Sequence, residues 1–374
     1  MTETNTLIVC IECATNLYLK SRPDLQEQKL NFKQEAIKAG HSTKDIYQKL
    51  SRSVIGQDRA KKVLSVALTN HLKRIHVDPL LEKNNVLLIG STGTGKTQLV
   101  RELAEITDLP LGIADASSIT SHGWAGDDPE TVLFDLYQKS GEDVDKAKYG
   151  IVFIDEIDKL ANDSDTRYRS QNAQRGLLRI LEGTVVGVPV NKDKRVFIDT
   201  SHILFICAGA FSDLQHIIDK RYSKKGIGFH SVVGKEDFRE KEATTEDLES
   251  YGFTPEFLGR IHTRAKLDDL DVTSLRQILT KPENSLTSQY IRMFELDGIK
   301  LEFSSTGLEE IAKQALELKT GARGLKTILE RVLFNYQFEY EENELYITKD
   351  LVREKLGLKE ELIDNEVQSR NHRF

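Results

Sequence analysis

Val86-Leu87-Leu88-Ile89-Gly90-Ser91-Thr92-Gly93-Thr94-Gly95-Lys96-Thr97 is the stretch that decides the fold. Four apolar residues give way at once to a glycine-rich run. An amphipathic stretch follows, with Leu99, Leu103 and Ile106 on one face. So short an apolar run reads as a strand covered on both faces, not as a helix. The glycine, lysine and threonine spacing is that of a P-loop. Glycines let the backbone wrap a phosphate with its N–H groups turned inward, and the helix N-terminus adds unpaired donors and a favourable dipole. The pattern assigns nucleotide binding to Gly90, Ser91, Thr92, Gly93, Thr94, Gly95, Lys96, Thr97 and Gln98. Lys96 supplies a point charge to the β- and γ-phosphates, and Thr97 a hydroxyl to Mg²⁺.

Two further apolar runs lie downstream, Ile151-Val152-Phe153-Ile154 and Ile203-Leu204-Phe205-Ile206. Upstream, Val63, Leu64, Ala67, Leu68, Leu72 and Ile75 recur with helical period. Short buried strands alternating with amphipathic helices predict an α/β domain with a parallel sheet and right-handed crossovers. Ligands of such sheets sit at the carboxyl ends of the strands. The second run ends there in Asp155-Glu156. With a P-loop upstream, Asp155 is expected to hold Mg²⁺ and Glu156 to act as general base toward an attacking water. ATP and Mg²⁺ are thus the expected cofactors. The chain divides into residues 1–43, an N-terminal appendage; 44–264, the large α/β domain; 265–358, a mainly helical small domain; and 359–374, a polar tail.

Composition narrows the class. The net charge of -7 opposes a general nucleic-acid binder, which carries a basic excess. No apolar run approaches the length needed to span a bilayer, and the N-terminus has no basic segment ahead of an apolar one. Three cysteines are too few for a disulfide framework and fit a reducing compartment, so a cytoplasmic location is expected, with no membrane partner.

Gly90–Thr97 followed by Ile154-Asp155-Glu156-Ile157-Asp158-Lys159 resembles the AAA+ module. Three more segments are similar to the ClpX family, the unfoldase partners of the ClpP peptidase: Val54-Ile55-Gly56-Gln57-Asp58-Arg59-Ala60-Lys61-Lys62, Leu181-Glu182-Gly183-Thr184-Val185, and Ile203 to Phe211. The resemblance runs from about Lys44 to Leu358. It implies an ATP-dependent unfoldase that threads proteins through a homo-hexameric pore into a ClpP-type peptidase. Val54 and Ile55 would contact adenine. Arg260, in Phe253-Thr254-Pro255-Glu256-Phe257-Leu258-Gly259-Arg260, would be an arginine finger acting on a neighbour's γ-phosphate. Arg323, in Thr320-Gly321-Ala322-Arg323-Gly324-Leu325, would sense the nucleotide of its own subunit. Gly123, Trp124, Ala125 and Gly126 would form the substrate-gripping pore loop, and Arg167-Tyr168-Arg169-Ser170-Gln171 a second one. Ile227, Gly228 and Phe229 would dock onto the peptidase. A first sensor is expected near Cys207-Ala208-Gly209, where no polar side chain stands out.

The sequence departs from the family in its pore loop, where Trp124 and Ala125 replace the usual tyrosine and valine, and in two further places. Only Cys10 and Cys13 remain of the cysteine pairs of the family's zinc domain, so zinc binding there is not expected. The link Asn191-Lys192-Asp193-Lys194-Arg195 is shorter than the family's basic pore-entrance loop. The competing functions are an HslU-like or stand-alone remodelling ATPase, a nucleic-acid motor, and a non-catalytic regulatory subunit. Glu156, Arg260 and Arg323 together oppose the last.

Overall fold

Among the described residues nine strands run in chain order: β1 (Val86–Ile89), β2 (Leu111–Asp115), β3 (Ile151–Asp155), β4 (Val185–Pro189), β5 (Arg195–Asp199), β6 (Leu204–Gly209), β7 (Thr263–Lys266), β8 (Lys300–Phe303) and β9 (Glu344–Ile347). The computed structural model describes residues 42–121, 129–161, 167–191, 194–225, 242–339 and 342–358. The chain falls into two compact units. One holds Gln57–Ser91 and Gly95–Asp268 together with the chain up to Ser51. The other holds Arg52–Gly56, Thr92–Thr94 and the chain from Asp269 onward.

The first unit is built on a five-stranded sheet of order β2-β3-β6-β1-β7, with every pairing parallel. Along β1, β3 and β6, alternate residues Leu87, Ile89, Val152, Ile154, Phe205 and Cys207 enter one core with Leu177, Ile180 and Leu181 of the helix Arg167–Glu182. Their neighbours Val86, Leu88, Ile151, Phe153, Leu204 and Ile206 are equally buried. Both faces are therefore covered, as the continuous apolar runs predicted. Each fully buried side chain of this kind contributes about 1.5–3 kcal/mol. The β4–β5 hairpin is antiparallel and stands apart from this sheet.

The helix Asp58–His76 buries a wider face than its aliphatic periodicity indicated. Ser65, Thr69 and His71 are buried beside Leu64, Ala67, Leu68 and Leu72. The hydroxyls are satisfied within the helix: Ser65 Oγ donates to the Lys61 carbonyl at 2.7 Å and Thr69 Oγ1 to that of Ser65 at 2.8 Å. This back-bonding removes the cost of burying them. His71 pairs through Nε2 with the Tyr149 carbonyl at 3.0 Å. Burial, reinforced by the charges of Arg74 and Lys83, pushes its pKa down to about 4.

Gln57, just ahead of this helix, adopts a left-handed backbone (φ 57) and is buried. Its amide bonds both backbone groups of Asp268, donating to the carbonyl and accepting from the N–H, each at 2.8 Å. A side chain here imitates a strand neighbour and ties down the residue at which the first unit ends.

In the second unit, the helices Val272–Thr280, Leu286–Leu296, Ser305–Glu317, Ala322–Glu339 and Lys349–Lys355 pack with the parallel pair β8–β9. Leu275, Leu279, Phe294, Ile311, Leu325, Leu329 and Leu333 form its core. Most of its helices begin on a capping side chain: Asp271, Ser285, Ser304 and Thr348 each accept from a backbone N–H three residues on. No described helix is long and apolar enough to cross a membrane.

Two outcomes test this packing. Gln57→Met keeps the volume but removes both bonds to Asp268, so the urea midpoint should fall by an amount equivalent to about 2 kcal/mol. An unchanged midpoint would show that water replaces the amide freely. For His71 the folded pKa lies below the ordinary value, so the unfolded chain takes up the proton first. Its contribution is complete above about pH 6.5 and fades as pH falls toward 4, a loss of roughly 3 kcal/mol. In His71→Gln that component of the pH dependence should be missing, and identical slopes in the two proteins would refute it.

Candidate functional site

The carboxyl ends of β1 and β3 bring two of the sequence-predicted residues, Thr97 and Asp155, together. Buried on both faces and clamped between β6 and β7, β1 delivers Gly90 to a fixed point, where its N–H extends the ladder to the Gly209 carbonyl at 3.2 Å. Gly95 has φ 100 immediately before the helix Lys96–Thr107, a backbone that side chains resist. Lys96 is buried and its ammonium turns back into the loop, donating to the carbonyls of Gly90 and of Ser91, the latter at 3.0 Å. One residue on, Thr97 Oγ1 lies 3.4 Å from Asp155 Oδ2 at the end of β3. The hydroxyl and carboxylate expected to share Mg²⁺ therefore meet, although 58 positions separate them. Gln98 points elsewhere, its amide donating to Glu102 at 2.7 Å along the exposed helix surface.

The second oxygen of Asp155 accepts from the Glu156 N–H at 2.9 Å. Glu156 itself has φ 55 and ψ 33, a left-handed conformation that costs a non-glycine residue about 1–3 kcal/mol. The turn that follows holds it there. Ile157 and Leu160 are fully buried, and the Lys159 N–H returns to the Glu156 carbonyl at 2.9 Å. The outcome is an exposed carboxylate next to the Asp155–Thr97 pair.

The sequence left the end of β6 without a polar residue, and the structure supplies one from another segment. Asp158 Oδ2 accepts from the Phe211 N–H at 3.1 Å. A side chain on Gly209 would meet Asp158 Oδ1 at 2.6 Å, so only glycine fits beside that carboxylate. Phe211 is also left-handed (φ 54) and is wedged against Tyr251 and Phe253. Burial, with the carboxylates of Asp158 and Asp213 adding to it, pushes the Tyr251 phenol up to about 12. The Cys207 thiol, buried in β6, is likewise pushed up to about 12, which makes it core packing. Gln174 was also missed. This buried amide donates to the carbonyls of Leu160 and Gly252 at 2.7 and 3.2 Å and accepts from the Thr254 N–H at 2.9 Å. It ties the turn after Glu156 to the segment leading to Arg260. A carboxylate or amide of this kind has no sequence signal beyond its polarity.

Arg260 follows the short helix Pro255–Leu258, which Thr254 caps. About half its side chain is exposed, and it pairs with Glu182. The other predicted residues divide in two. Val54, Ile55, Thr92, Gly93, Thr94 and Arg323 belong to the second unit. There Arg323 is exposed in the first turn of the helix Ala322–Glu339, while a side chain on Gly324 would meet the Ala315 carbonyl at 2.8 Å, so glycine is what lets the backbones approach there. Gly123, Trp124, Ala125, Gly126, Ile227, Gly228, Phe229, Cys10 and Cys13 lie outside the described residues. Arg167 to Gln171, expected as a second pore loop, are instead the first turns of the helix Arg167–Glu182. Among the described residues no cluster of metal-ligating side chains suited to a structural metal occurs.

Residues 81–264 match the family described as AAA domain (Cdc48 subfamily), and residues 270–339 the C-terminal, D2-small domain, of ClpB protein. The chain is similar to the ATP-dependent Clp protease ATP-binding subunit ClpX of Bacteroides thetaiotaomicron. The two are 39% identical over 379 residues, covering 93% of this chain and 90% of that protein. It is equally similar to the ClpX subunits of Borrelia duttonii and Borrelia recurrentis, 39% identical over 368 residues, with 92% of this chain and 85% of each relative covered. A P-loop ahead of an Asp-Glu strand end, a helical second unit, and likeness along nearly the whole length of three such subunits agree: the chain belongs to the ClpX family of AAA+ ATPases.

Proposed function

We propose that the chain hydrolyses ATP at the carboxyl edge of its first unit and uses the energy to unfold proteins, passing them through a homo-hexameric ring to a ClpP-type peptidase. The observation that carries this reading is the contact of Thr97 with Asp155 at the ends of β1 and β3, with Lys96 and Glu156 as their chain neighbours. A hydroxyl and a carboxylate oxygen 3.4 Å apart are the hard oxygen donors that Mg²⁺ prefers. Bound there, the ion would neutralise the charge of the β- and γ-phosphates.

The chain's own residues would supply the remaining steps. Lys96 would exchange the carbonyls of its loop for phosphate oxygens. Glu156 would take a proton from the attacking water, its carboxylate already presented by the strained backbone. Arg260 of one copy would face the γ-phosphate held by the next. Val54 and Ile55 would contact the adenine, and Arg323 would report the nucleotide's state to the second unit. The pore loop with Trp124 would grip the substrate, and Ile227 and Phe229 would anchor the peptidase.

Glu156→Gln should lower ATP turnover by about 10²–10⁴-fold while nucleotide still binds, measured as steady-state hydrolysis beside fluorescent-nucleotide binding. Turnover near wild type would remove Glu156 from the mechanism. Deleting 226–229 should leave ATPase and unfolding of a tagged folded reporter intact but abolish its degradation with ClpP. Degradation that persists in the deletion would mean that the peptidase docks elsewhere or that its coupling was misread.

A further inference from the structure

Glu182 is the last residue of the helix Arg167–Glu182, where the helix dipole disfavours an acid. Its pairing with Arg260 is about half exposed on both sides, and such pairs add little to stability. Neither local preference nor fold stability accounts for a carboxylate at this point. The surrounding backbone is nevertheless built to hold it. Asn85, buried immediately ahead of β1, donates through one amide nitrogen to the Arg260 carbonyl at 2.9 Å and to the Leu181 carbonyl at 3.4 Å. One side chain thus pins the backbones of Arg260 and of the residue before Glu182. On the other side Gly183 turns with φ 102, and a side chain there would strike Ser201 Cα at 2.9 Å.

From these fixed bases the two side chains meet side-on. Arg260 Nε and Nη2 both donate to Glu182 Oε1, at 2.8 and 2.7 Å. A guanidinium is a planar fork of five donors, so engagement of the Nε/Nη2 edge anchors that edge and leaves the Nη1/Nη2 edge to a second anion. We infer that Glu182 is the positioning residue of Arg260, holding one edge of the guanidinium so that the other meets the γ-phosphate bound by a second copy of this chain. The inference rests on the reading of Arg260 given under the proposed function. Glu182 touches no substrate; it acts through Arg260 alone.

The test compares ATP turnover, KM for ATP and melting temperature in single and double variants of the full chain. Arg260→Ala should lower kcat by about 10³-fold or more. Glu182→Ala should lower kcat by about 10–100-fold, the scale set by misplacing a catalytic group by about an ångström, with KM and melting temperature little changed. Glu182→Gln keeps the acceptor oxygen and should recover most of the rate. Glu182→Leu keeps the methylene packing and should behave like alanine, which covers a misfolded alanine variant. Glu182→Ala in the Arg260→Ala background should add no further loss. Wild-type kcat in both Glu182→Ala and Glu182→Leu, while Arg260→Ala is inactive, would overturn the inference and spare the finger. A raised kcat would overturn it too, since Glu182 would then restrain the arginine. If Arg260→Ala itself turns over normally, the underlying reading of Arg260 fails.

Discussion

A parallel strand packed on both faces has room for polar groups only at its ends, and that constraint organises the first unit. In β1, β3 and β6 the interior positions are apolar and essentially without solvent exposure. The first polar side chains appear at Asn85 before β1, in the P-loop beyond β1, and at Asp155, the last residue of β3. Parallel register then brings the carboxyl ends to one edge, as Ile154 opposite Cys207 and Ile89 opposite Gly209 show. The Thr97–Asp155 contact needs no other explanation. Asp155 ends β3 and Thr97 opens the helix that the P-loop joins to β1, both strands having axial positions the core has already fixed, and interiors packed at crystal density transmit that placement with little slack.

Such a rigid edge can hold backbone conformations that a loop could not. Glu156 and Phe211 are both left-handed without being glycine, and they stand at the ends of neighbouring strands. Asp158 links them, sitting two residues after one and accepting from the N–H of the other. The strain at each is offset by burial close at hand: Ile157 and Leu160 behind Glu156, and the rings of Tyr251 and Phe253 around Phe211. Strained non-glycine residues concentrate where a reacting group must be aimed, and Glu156 fits that pattern.

How much of this was legible in the sequence follows from the range of each interaction. Central strands announce themselves as short apolar runs because two covered faces demand it, and the P-loop because phosphate geometry dictates its glycines. The edge strands β2 and β7 were not read. Leu111-Gly112-Ile113-Ala114-Asp115 is only partly buried and Thr263-Arg264-Ala265-Lys266 carries two cations, so neither shows a period that a loop would lack. The buried polar stripe of the helix Asp58–His76 was hidden because hydroxyls bonded to their own helix pack like apolar groups. Asp158, Gln174, Asn85 and Gln57 were invisible for another reason. Each is an ordinary polar residue with at least one partner between 53 and 211 positions away. Only the finished sheet brings those partners within reach.

These long-range polar side chains share a property that bears on how a motor of this family works. None of them lies in the group that handles phosphate, yet each ties a segment carrying a functional residue to the frame. Gln174 joins the turn after Glu156 to the segment before Arg260, Asn85 joins the root of β1 to the carbonyl of Arg260, and Gln57 secures Asp268 where the first unit ends. A buried amide bonded through both its nitrogen and its oxygen, as in Gln174 and Gln57, is rigid, whereas one with a partner missing, as at Asn85 Oδ1, costs about 1–3 kcal/mol. Segments tied this way shift as bodies or not at all. Converting a local event at a phosphate into displacement elsewhere requires that kind of stiffness, since a compliant frame would absorb the change where it arose. The apolar core places the site, and a small number of buried amides make it mechanically continuous with the residues that reach beyond it.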